Sequence, residues 1–271
     1  MSDQPEPQEP APEPAPEPSM VASKHANRFR LVLGALLGIA IGAVAASLMI
    51  AAGQGAAPET RWSAWHPRSS AVGAGAQQIA DHVAPSYRQA DGDQMVGVTG
   101  GPLKVGQLNL AVRIAVADSG VRNIGIVQGK SALYTLCGLG PRCAISRGKA
   151  TNDRGLLLRR EALELALYSF RYLDDVDSVV ALMPPAKGQK PQKAVFFRRS
   201  VLQPALDRPL PQTLPSPPPT VAGLVESPQA NLVKSVTNPS VFCFSFEPSQ
   251  DLGAFLVLQK PTNDPKKPCQ E

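Results

Sequence analysis

The hydrophobic positions first form one unbroken run. Residues 31–53 read LVLGALLGIAIGAVAASLMIAAG, with no charge and with Ser47 as the sole polar side chain. About 20 apolar residues cross a hydrocarbon core as a helix. The run therefore predicts a single transmembrane helix. Gly34, Gly38, Gly42 and Ala46 recur every four residues along it. Small residues at this spacing let two helices approach closely in lipid, so this face suits a homodimer or a lateral partner.

After the run the pattern shortens and alternates. Residues 74–88 predict a helix, with Ile79 and Val83 four apart and Pro85 weakening its end. After an Asp91-Gly92-Asp93 turn, strand-like runs follow at 94–99, 108–116, 121–128 and 132–137, the last three separated by Asp-Ser-Gly and Gly-Lys turns. This succession predicts an antiparallel meander. Residues 154–173 then carry the 3.6-residue period of an amphipathic helix, with Thr151, Asn152 and Asp153 offered as caps. Its apolar stripe holds Leu156, Leu163, Leu167 and Phe170, and its polar face Arg160, Glu161, Glu164 and Arg171. Arg159 falls inside the apolar face, where a guanidinium needs an acceptor or a ligand. Strands are predicted at 178–182, 194–198, 241–247 and 254–259. Phe242, Phe244 and Phe246 are expected to face a core together.

The expected fold class is thus α+β: one N-terminal transmembrane helix, then an extracytoplasmic domain with a mostly antiparallel sheet and one long amphipathic helix. The expected boundaries are 1–30 for an acidic, disordered cytoplasmic arm, 31–53 for the span, 54–71 for a stalk and 72–271 for the domain. Residues 201–228 read as a proline-rich extended arm over that domain.

Proline supports the two irregular segments. Seven prolines fall in the first 18 residues and eight between Pro204 and Pro228. Proline at this density excludes regular helix and sheet and leaves polyproline II. Charge sets the orientation. The first 18 residues carry five acids and no base, and Lys24, Arg28 and Arg30 then abut the run. The positive-inside rule places the N-terminus in the cytoplasm. A cleaved signal peptide has a shorter apolar region and a shorter leader, so an uncleaved anchor in the cell membrane is expected. Beyond Gly53 the chain holds 24 bases and 17 acids, which suits anionic lipid or an anionic envelope polymer.

All four cysteines follow the run. An even count confined to one side of a span points to disulfides in an oxidising compartment. Cys137 and Cys143 enclose a short Gly- and Pro-containing loop and predict a local bridge, with Cys269 reaching back to Cys243. Arg142, Arg147 and Lys149 near the first pair, together with Arg159, are the candidate contacts for an anion or partner. Trp62 and Trp65 fit either the membrane interface or docking on the following domain.

No nucleophile elbow and no phosphate-binding loop occurs. Asp174, Asp175 and Asp177 cluster at a helix end, and His82 adjoins Asp81, but neighbours on a helix do not face each other. No catalytic residue, cofactor or metal is expected, and nucleic acid is not among the expected partners. The expected function is a single-pass anchored binding or scaffold protein of the cell envelope, engaging an envelope protein or an anionic polymer. The alternative is an anchored envelope enzyme acting on an anionic polymer or small ligand.

Overall fold

The computed structural model describes residues 61–105, 110–117, 124–249, 253–262 and 269. The acidic arm and the apolar run, with Gly34, Gly38, Gly42 and Ala46, lie outside the described residues. Among the described residues no helix is long and apolar enough to cross a membrane.

The described chain is a mixed α+β structure. Its main helices are α1 (Val72–Val83), α2 (Asn152–Tyr172), α3 (Arg199–Leu206), α4 (Leu210–Thr213), α5 (Val221–Glu226) and α6 (Gln229–Thr237). The strands are β1 (Gly97–Pro102), β2 (Lys104–Val105), β3 (Leu110–Ala117), β4 (Ile124–Ile126), β5 (Lys130–Cys137), β6 (Val176–Leu182), β7 (Lys193–Arg198), β8 (Val241–Ser249) and β9 (Gly253–Gln259). They form one sheet in the order β1-β5-β6-β7-β8-β9-β3-β2, with β4 on β3. Six pairings are antiparallel, and two, β5–β6 and β3–β9, are parallel.

The sheet is therefore mostly antiparallel, but it is not the expected meander. β1 pairs with β5, not with its sequence neighbour. β5 and β6 run parallel, and parallel strands need a crossover too long for a tight turn. α2 is that crossover. The two ends of the strand order also meet in the chain, because Leu103 alone separates Pro102 from Lys104. One intervening residue spans at most about 7 Å. The sheet is consequently rolled toward a barrel.

Alternation along the strands divides the core in two. Ala132, Tyr134, Val179, Ala181, Val195 and Phe197 face the helices. Val180, Ala194 and Phe196 face the inside of the roll and meet Phe242, Leu256 and Leu258. β6 and β7 are thus covered on both faces, as continuous apolar strands require. Close approach is built in at Gly100, where a Cβ would lie 2.5 Å from the Ala76 carbonyl oxygen of α1.

Three expectations change here. The phenylalanine stripe does not stay in the core: Phe242 is buried, while Phe246 is 39% exposed. β8 meets β7 only from Val241 to Cys243, so beyond that point it has β9 as its single sheet neighbour. The 201–228 stretch is not one extended arm. Prolines break it into short helices, with Pro209 capping α4 and Pro211 in its first turn, and Leu202, Leu206, Leu210 and Leu214 are all buried. Residues 61–71 are not a free stalk. Trp62 is buried against Tyr168 and Tyr172, and Trp65 stacks on His82 at 4.0 Å. The two tryptophans dock on the domain.

Both expected disulfides are present, Cys137–Cys143 and Cys243–Cys269. The second closes a loop of 26 residues. Replacing both of its cysteines with serine is expected to lower stability by about 2–3 kcal/mol, read as a shift in the urea midpoint. A native-like midpoint would show that the bridge constrains nothing.

Candidate functional site

Everything chemically notable is organised by α2. Thr151 starts it, its side chain accepting from the Arg154 backbone N–H at 3.2 Å. Fourteen of its 21 residues are buried. Arg160 and Glu161 of the expected polar face are buried too, because α5 and α6 lie across that side, while Arg171 stays exposed. Arg160 and Glu161 are 1% and 0% exposed, which corrects the two-sided reading of this helix.

Arg160 is satisfied on every side. Its Nε donates to Gln229 Oε1 at 2.9 Å and its Nη2 to the Pro215 carbonyl at 2.6 Å. Nη1 donates to the Tyr87 hydroxyl and reaches Glu164 Oε2 at 3.2 Å. The Tyr87 hydroxyl in turn donates to Glu164 Oε2 at 2.6 Å. Burial, opposed by Arg160 and Tyr87, leaves the Glu164 carboxyl above its ordinary value. Burial and then the nearby Glu164 and Glu161 carboxylates, with Arg160 opposing, also raise Tyr87.

Glu161 differs: among the described residues neither of its carboxyl oxygens has a hydrogen-bond partner. Burial, then the neighbouring Glu164, push its carboxyl well above 4.5. Below that value Glu161 is protonated in folded and unfolded chains alike. Above it the unfolded chain releases the proton and the folded chain keeps it, so stability falls as pH rises toward the folded value. Glu161→Gln is expected to flatten this fall, read by urea titration at pH 5 and pH 8. An unchanged pH dependence would sink the assignment.

The N-terminal half of α2 borders a groove of about 690 Å³. Its other walls are the β6–β7 connection and the start of β8. Backbone bonds hold that connection in place, from Met183 N to the Lys193 carbonyl at 2.8 Å and from Ile145 N to the Pro185 carbonyl at 3.0 Å. Arg154, Arg159, Lys190 and Lys193 line the groove, and among the described residues no acid does. Arg154 is committed to the fold, donating to the Arg147 carbonyl at 2.6 Å and the Met95 carbonyl at 3.3 Å. Arg159 donates from Nη1 to Asn238 Oδ1, using one of its five N–H donors. Burial lowers the Arg159 pKa. Leu158, Met183, Pro184 and Val241 make the lining partly apolar. Gly155 opens the α2 side, where a Cβ would meet nothing within 4 Å. Gly155→Ala is expected to stabilise the domain by about 0.5–1 kcal/mol, seen as a raised Tm. A lowered Tm would mean that the groove is filled.

The other candidate contacts lie outside this lining. Arg142 is exposed on the cysteine loop with φ of 54°, Arg147 pairs with Asp93, and Lys149 is exposed. Asp174 accepts from the Ser70 hydroxyl, Asp175 pairs with Lys130 at 3.0 Å, and Asp177 borders a more open depression of about 760 Å³ with Arg198 and Arg199. Among the described residues no group of three or more His, Cys, Asp and Glu side chains is placed to hold a metal. Lys190 and Lys193 were not singled out from the sequence. Their signal is that residues 178–206 hold five bases and no acid. The buried Tyr87–Arg160–Glu164 group has no local signal, because helices distant in sequence bury it.

No family model, no curated protein and no solved structure matches this chain.

Proposed function

We propose that this is a single-pass, membrane-anchored protein that displays its α+β domain outside the cytoplasm and binds a partner in the cell envelope. The observation that carries the reading is the pairing of all four cysteines in two disulfides, which suits an oxidising compartment. The apolar run at 31–53, preceded by Lys24, Arg28 and Arg30, supplies the anchor and its orientation.

The enzyme alternative has one observation in its favour, since Arg159 lines a groove. Among the described residues that lining offers cations, amides and apolar surface but no carboxylate or imidazole. Such groups hold an anion more readily than they move a proton. Binding is therefore the preferred reading.

Protease treatment of intact spheroplasts carrying a chain tagged at both ends tests the topology. The C-terminal tag is expected to disappear and the N-terminal tag to survive with the membrane fraction. Recovery of the chain in the soluble fraction, or protection of the C-terminal tag, would overturn the proposal.

A further inference from the structure

We infer that the groove beside the N-terminal half of α2 binds a small amphipathic anion, a carboxylate or phosphate ester with an apolar body. This ligand class specifies the binding-protein reading above and rests on it. Three separate stretches bring cations to one cavity: Arg159 from α2, Lys190 from the β6–β7 connection and Lys193 from β7. Asp153, the acid in the first turn of α2, is not part of the lining. A cavity lined by one sign of charge concentrates ligands of the other. The start of α2, where Ala150, Thr151 and Asn152 join the lining, adds the positive end of a 21-residue helix.

The apolar half of the ligand follows from the rest of the wall. Leu158, Met183, Pro184 and Val241 face the same space as the cations. A bare inorganic anion would leave that surface unused. The volume, about 690 Å³, falls in the range of small-molecule sites, roughly 300–1,000 Å³. Gly155 adds a further point. Glycine inside a helix is less favourable than alanine, and no packing contact requires it here. Its effect is to keep the α2 wall open.

The test is calorimetric titration of the full-length chain in zwitterionic nanodiscs, with empty nanodiscs giving the partition background. Hexyl phosphate, hexanoate, inorganic phosphate and hexanol are the probes. Saturable one-site binding is expected for hexyl phosphate or hexanoate, and which of the two binds tighter assigns the head group. Inorganic phosphate is expected to bind more weakly and hexanol not at all. Arg159→Gln and Lys193→Gln are each expected to weaken binding about tenfold. Gly155→Leu, which changes no charge, is expected to abolish it. Arg142→Gln, on the exposed cysteine loop, should leave it unchanged. Circular dichroism melts establish that each variant is folded.

No saturable binding by either amphipathic anion overturns the proposal. Equal weakening by Arg142→Gln also overturns it, because net charge alone would then explain the affinity. Inorganic phosphate binding as tightly as hexyl phosphate refutes the apolar half. Protease protection reads topology without reference to any ligand, so failure of the anchored reading and failure of this site are separable.

Discussion

Arg160→Ala is expected to destabilise the domain by about 3–5 kcal/mol, a large part of the roughly 5–15 kcal/mol that holds a typical domain together. The guanidinium is 1% exposed and ties α2 to Tyr87, to the Pro215 carbonyl and to Gln229 of α6. Truncation strands the Pro215 carbonyl and the Gln229 amide oxygen without their donor, and leaves Glu164 without its cation. Arg160→Lys should recover little, because a single ammonium cannot reach along the directions that the forked guanidinium serves. Arg160→Met with Glu164→Leu should recover more, since removing both charges together avoids an uncompensated buried carboxylate. Urea unfolding of the four proteins reads the order. A single Arg160→Ala loss under about 1 kcal/mol would show that the group is solvated and not a tie.

The second large effect is expected at Trp62. Trp62→Ala should cost about 3–5 kcal/mol. The indole is 7% exposed and meets Tyr168 and Tyr172 edge-on, each at 5.6 Å between ring centres. The same segment is fixed by its backbone, since the Trp62 carbonyl accepts from Leu210 N at 2.7 Å. Ser63 Oγ and the Tyr168 hydroxyl are hydrogen-bonded at 2.8 Å. Trp62→Phe keeps most of the ring contact and should lose far less. Trp62 and Trp65 are the two tryptophans of the chain, so intrinsic fluorescence follows this strap directly. If Trp62→Ala leaves both the melting point and the Trp65 emission unchanged, the strap is not part of the folded unit.

These two residues also show what was legible in the sequence. The span of α2, its Thr151 cap and the Cys137–Cys143 bridge follow from local chemistry: periodicity, a hydroxyl before a helix, a loop short enough to close; Cys243 and Cys269 are then the two cysteines left to pair. Arg160 and Glu161 fall on the polar face of the helix by periodicity, because 100° per residue locates an outer side without saying what covers it. The cover is built from 201–237, where prolines disguise short helices that turn Leu202, Leu206, Leu210, Leu214 and Leu224 inward. The pairing of β1 with β5 and of β3 with β9 is equally invisible, since nothing in a strand names its partner, whether some tens of residues away as in the first pair or over a hundred as in the second. The groove shares that origin. Arg159 stood out as a cation on an apolar stripe, but Lys190 and Lys193 join it only once the β6–β7 connection folds beside α2.

The parallel pairing of β3 with β9 has a consequence for how this chain must be made. Val112 pairs with Ala254, 254 − 112 = 142 positions later. During synthesis β3 emerges with β2 and β4 as its available neighbours, and its remaining edge stays open until nearly the whole domain has followed. Contacts of such long separation are slow to form, and an unpaired strand edge is a template for other chains in the meantime. The roll of the sheet can therefore complete only at the end of synthesis. A nascent chain halted before residue 254 would carry a finished α2 layer beside an unclosed edge.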